Sequence, residues 1–213
     1  MTNLKKPGAF LLAALIFSIV FLSAGCQSNG TASGKEDLLS FESLNALLGT
    51  DKEQAMETLK IDPEESPAAE VVNGKQGTWT VEEAYPLNGS EAKVSILFYN
   101  DILMGFTYAF PTTEAGFLYG KEIREQAVEI YGEPSTYPTL ENRLDNIKSV
   151  EDIDPDTPQY YEEWEIEAEE TFTEKLLDGR EIDRFTVMLE LNCFQNDTAA
   201  VAFRYAAVPK SLG

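Results

Sequence analysis

The residues able to do chemistry in this chain are almost all carboxylates. There are 37 acidic side chains against 16 basic ones, two cysteines and no histidine. Without histidine, Ser-His and Cys-His nucleophile pairs cannot form, and the commonest zinc ligand is missing. Ten of the carboxylates fall between Glu151 and Glu170, with no basic residue among them. Inside that stretch Asp152, Asp154 and Asp156 alternate, and Glu163 follows at the twelfth position counted from Asp152. Hard oxygen ligands at these intervals are what a calcium loop presents. Thr157 stands where such a loop needs glycine, and Pro155 and Pro158 stiffen it, so the pattern predicts loose divalent-cation association more than a shaped site. Carboxylate pairs of the kind used in glycoside hydrolysis are uninformative in so acidic a chain. The sequence has no P-loop, no glycine-rich dinucleotide turn and no G-x-S-x-G elbow. The expectation is a protein without catalysis.

Charge narrows the partners. A formal net charge of −21 repels phosphate backbones, and no Lys/Arg cluster interrupts it along the sequence, which excludes nucleic acid as a partner.

The first of the two cysteines, Cys26, sits at the end of the longest apolar run. Lys5 and Lys6 precede Ala9 to Leu22, fourteen residues with only Ser18 polar. A membrane-spanning helix needs about 20 apolar residues, so this is the hydrophobic region of a signal peptide. Leu22-Ser23-Ala24-Gly25-Cys26 then resembles the lipobox of bacterial lipoproteins. The resemblance implies a signal peptide over 1–25, a covalent lipid on Cys26 and an anchor on the extracytoplasmic face of a cell membrane. Residues 27–36, QSNGTASGKE, have no apolar side chain larger than alanine, so 26–37 reads as the lipidated cysteine and a flexible tether reaching at most ~35 Å.

The folded part repeats. Lys52-Glu-Gln-Ala-Met-Glu-Thr-Leu59 answers Arg124-Glu-Gln-Ala-Val-Glu-Ile-Tyr131, and both carry the apolar stripe of an amphipathic helix. Trp79-Thr-Val-Glu82 answers Trp164-Glu-Ile-Glu167. Asn100-Asp101 before Gly105-Phe-Thr-Tyr-Ala109 answers Asn196-Asp197 before Ala202-Phe-Arg-Tyr-Ala206. Three matches in one order predict an α+β fold of two tandem units, 38–112 and 113–213, each a helical segment on a three-stranded antiparallel sheet. This element order, with the Leu48-Gly49 and Tyr131-Gly132-Glu133-Pro134 helix endings, resembles the β-lactamase-inhibitor-protein fold. It implies no functional residue.

Strand alternation then sorts the faces. It sets Trp79, Ile96, Phe98, Phe106 and Tyr108 toward the helices and places Cys193 among core residues. Thr80, Leu97, Tyr99 and Thr107 fall on the other face of the first unit, and Met188 and Arg204 on that of the second, with Glu165 and Glu190. Apolar and aromatic side chains on an otherwise polar sheet have the composition of a partner-binding surface. The functional expectation is a lipid-anchored binding or scaffolding protein with a protein partner in the envelope. An inhibitor of an envelope or secreted hydrolase, and a calcium-dependent module using 151–170, are the alternatives.

Overall fold

The computed structural model describes residues 37–62, 64, 71–72, 76–87, 90–135, 142–154, 156, 159–166 and 182–209. They belong to one compact unit, Ala32–Gly213. The segment predicted as signal peptide, Cys26 and the predicted tether up to residue 36 lie outside the described residues, as do Thr157, Glu167 and Glu169.

Among the described residues three α-helices form: α1 (Phe41–Ala46), α2 (Lys52–Leu59) and α3 (Thr113–Tyr131). The Ser40 hydroxyl accepts the Ser43 N–H to start α1, and the Thr112 hydroxyl accepts the Ala115 N–H to start α3. These side chains satisfy amides that have no carbonyl partner within their own helix. α3 stops at Gly132, whose φ of 81° a residue with a β-carbon adopts only under strain. The stripes fall as expected: Ala55, Met56 and Leu59 are buried on α2 and Ala127 on α3.

The strands are β1 (Val71–Val72), β2 (Gln76–Leu87), β3 (Ser90–Tyr99), β4 (Ile102–Phe110), β5 (Gln159–Ile166), β6 (Ile182–Cys193) and β7 (Ala199–Pro209). They form one antiparallel sheet in the order β1-β2-β3-β4-β7-β6-β5. Where the sequence predicts two three-stranded sheets, β4 and β7 pair from Gly105↔Arg204 to Phe110↔Ala199 and fuse them. The physical reason is exposure: two separate sheets would each leave a long edge of open hydrogen-bonding groups, and this pairing removes both. Asn100 and Asp101, with φ of 49° and 60°, make the tight β3–β4 turn. Their counterparts lie in a longer loop between Cys193 and Ala199, in which only Asp197 has a positive φ.

One row of the sheet shows what this fusion positions. Trp79, Ile96, Phe106, Phe203, Leu189 and Glu162 pair successively across β2, β3, β4, β7, β6 and β5. At its centre Phe106 and Phe203 stack at 5.7 Å, and Phe41 of α1 meets both edge-on, at 6.0 and 4.9 Å. Such pairs each add about 0.5–1.5 kcal/mol beyond burial. α3 lies against β7, β6, β4 and β5, and a single apolar cluster runs between the helices and one face of the sheet. A β-carbon at Gly116 would come within 2.5 Å of the Ala199 β-carbon, so this glycine is what lets α3 approach β7. On the outer side of β5, Ser135 N–H donates to Glu163 O at 2.7 Å and Tyr161 N–H donates to Asn142 O at 3.0 Å. The chain flanking β5 therefore blunts its open edge.

Candidate binding surfaces

The face turned away from the helices carries the predicted partner-binding residues. Thr78, Leu97, Gly105, Arg204, Met188 and Glu163 make one row, and Thr80, Ser95, Thr107, Ala202, Glu190 and Tyr161 make the next. Five of the six predicted positions are thus gathered in two neighbouring rows, because β4–β7 pairing aligns the two halves in register. Tyr99 lies at the end of the sheet, packed on a small second cluster of Ile102 and Met104. Thr80, Leu97, Tyr99, Thr107 and Met188 are half-buried and Arg204 is exposed. The Arg204 guanidinium lies 3.6 Å from a Glu190 carboxylate oxygen. Glu190 and Glu163 keep only 8% and 6% of their surface, and Thr186 2%, so this face is much less solvated than strand alternation alone suggests.

The four predicted cation ligands do not converge. Among the described residues no three acidic or thiol side chains are grouped to hold a metal ion. Asp152 turns back on its own chain: one carboxylate oxygen accepts the Ser149 N–H at 2.9 Å, the Lys148 N–H at 3.2 Å and the Ser149 hydroxyl at 3.3 Å. Those bonds hold its carboxyl below the usual range, led by the Ser149 amide. Asp154 accepts the Asp156 N–H at 2.9 Å in a tight local turn. Glu163 is buried in β5 instead of closing a loop over Asp152. A calcium-loop spacing needs the intervening chain to curl around one point, and here it straightens into a strand at Gln159.

A charged cluster that the sequence reading passes over lies on the core side. Glu162 shares the face of Trp164 and is fully buried. Its carboxylate accepts from the Arg143 guanidinium and from the Asp145 N–H at 2.7 Å, with Arg124 Nε at 3.5 Å. Burial pushes the Glu162 carboxyl above its ordinary value, against the opposing pull of the Asp145 amide and the two guanidiniums. Lys121 donates to Leu144 O at 2.6 Å and Lys148 to Asp145 O at 2.6 Å. Burial first, then Arg124 and Lys148, lower the Lys121 pKa. Lys121 and Arg124 of α3 are therefore brought together with Arg143 and Lys148, about twenty residues further along the chain. Strand parity was the available signal, since Glu162 is two residues from Trp164 and must share its side.

At the end of the sheet, where β6 turns into β7, lies an open cavity of about 570 Å³. Val150, Ile153, Cys193 and Phe194 supply its apolar wall, and Thr113, Asp154, Gln195 and Asp197 its polar one. Cys193 is half-buried and packs on the core, as expected, and burial pushes its thiol pKa up. It is thus a neutral thiol at ordinary pH, slower to react than an exposed one. Comparison of the chain with protein-family models, curated proteins and solved structures returns no match.

Proposed function

We propose that this is a lipid-anchored, extracytoplasmic binding protein that works without catalysis. Cys26 fixes it to the membrane, and the sheet face opposite the helices docks a protein partner of the envelope. The observation that carries the reading is the order of basic residues, fourteen-residue apolar run, small residues and Cys26. The docking assignment is supported by the two rows that bring Leu97, Thr107, Met188 and Arg204 side by side, apolar and aliphatic surface beside a charge.

We further infer that the chain arose by tandem duplication. The matching Phe106 and Phe203 pair directly with each other, which puts an approximate twofold relation between the halves through that pair. The tryptophans do not obey it: the position answering Trp79 is Glu162, and Trp164 lies one row further along.

One experiment addresses both parts. Cells expressing the wild-type chain, Cys26→Ser and Thr107→Arg are fractionated, labelled with a radioactive fatty acid and crosslinked. Wild type is expected in the membrane, labelled, with one saturable protein crosslink. Cys26→Ser is expected to be unlabelled and released. Thr107→Arg is expected to stay anchored and lose the crosslink. Labelled Cys26→Ser sinks the anchor, and an undiminished crosslink in Thr107→Arg sinks the docking face.

A further inference from the structure

The cavity at the β6–β7 turn is independent of the membrane anchor and of the docking face. We propose that it binds a small organic cation whose apolar body lies against Val150, Ile153 and Phe194 and whose ammonium faces Asp154 and Asp197. Its volume of about 570 Å³ lies within the range of clefts that hold small ligands, which are mostly apolar with a few placed polar groups.

The two carboxylates decide the sign of the ligand. Among the described residues no lysine or arginine lines the cavity. Asp154 uses one oxygen to accept the Asp156 N–H, and Asp197 uses one to accept the Thr113 N–H at 3.4 Å. Among the described residues each therefore keeps its second oxygen for a guest. The first amide of α3, which would otherwise favour an anion, is already taken by Asp197. Phe194, with 51% of its surface open, adds to the lining an aromatic ring, a group that attracts ammonium. Asp154 and Asp197 are both exposed, so they repel an anionic guest and gain nothing from a purely apolar one, whereas a cation is attracted to them.

The same bonds allow a clean test. Asn keeps the oxygen that accepts the Asp156 and Thr113 amides, and Asn also tolerates the φ of 61° at position 197. Asp154→Asn/Asp197→Asn therefore removes charge and preserves the local turns. Cys193 in the apolar wall reports occupancy, through its rate of alkylation read by mass spectrometry on its own peptide in the full chain. The probes are 2-phenylethylammonium and its anionic counterpart phenylacetate. Millimolar 2-phenylethylammonium is expected to slow alkylation saturably, and phenylacetate to leave the rate unchanged. The double variant is expected to need at least tenfold more cation, a loss of about 1.4 kcal/mol, with its thermal midpoint retained. Phe194→Ser, at an exposed position, is expected to weaken the cation as well, and keeps the test decisive where the double variant loses stability. The proposal is overturned by unprotected Cys193, by equal protection from phenylacetate, or by undiminished cation binding in either variant.

Discussion

Removing Arg143 exposes the energetics of the buried cluster most directly. Its guanidinium holds Glu162, donates to Ser135 O at 2.9 Å and has Nε 3.5 Å from Asp145. Arg143→Met keeps most of the aliphatic stem and leaves Glu162, fully buried, with Arg124 at 3.5 Å as its remaining ion-pair partner among the described residues. Stranding one member of a buried ion pair costs about 3–5 kcal/mol. With a urea dependence of about 2–3 kcal/mol per molar, the unfolding midpoint falls by roughly 1–2.5 M and the slope stays constant. Arg143→Met/Glu162→Leu is expected to be no less stable than Arg143→Met alone, since the second change removes the stranded charge.

pH supplies a second reading of the same variant. Burial raises the folded-state pKa of Glu162, so its contribution is present below the unfolded pKa and is lost as pH rises through the folded one. Arg143→Met removes a group that opposes this rise. The gap between wild type and variant therefore narrows as pH falls from 7 into the ordinary glutamate range. What remains at low pH is the lost bond to Ser135 O. A loss below about 1 kcal/mol at neutral pH, or a double variant equal to the sum of the two singles, refutes the reasoning.

Two further outcomes follow from the geometry. Gly116→Ala, a change that favours an isolated helix by about 1 kcal/mol, is expected to lower stability by about 1–3 kcal/mol, because the new methyl meets Ala199 at 2.5 Å. An unchanged or raised melting temperature contradicts the close approach of α3 to β7. Asp152 titrates with the opposite sign to Glu162. Its carboxyl is held low by the Ser149 and Lys148 amides, so it stabilises above the unfolded pKa and that support is lost as pH falls through the folded one. Asp152→Asn should flatten the acid limb of the stability profile, and an identical limb in both proteins argues against the cap.

Local pattern and distant pairing contributed unequally to what could be read in advance. The helix stripes of Ala55, Met56, Leu59 and Ala127, the Asn100-Asp101 turn, the stop at Gly132 and the face of Cys193 are set by neighbours within a few residues. All were legible for that reason. The repeated tryptophans do not share a row, because composition repeats more readily than register: Trp79 stands in the row that ends at Glu162, and Trp164 lies one row away. The calcium-loop spacing is not matched by a gathered set of ligands among the described residues, because spacing says nothing of whether the chain curls, and β5 begins inside it.

What the sequence determined by itself is what depends on order along the chain: acidity, the absence of histidine chemistry, the apolar run before Cys26, and the period of each helix and strand. What only the tertiary structure decided is what depends on residues far apart in number. β4 pairing with β7 made one sheet and aligned Thr107 with Ala202. The same folding carried Arg124 and Arg143 to Glu162 and closed Val150, Asp154 and Phe194 around one cavity. A strand's alternation says which way a side chain points, and only the pairing of the strand says what it meets there.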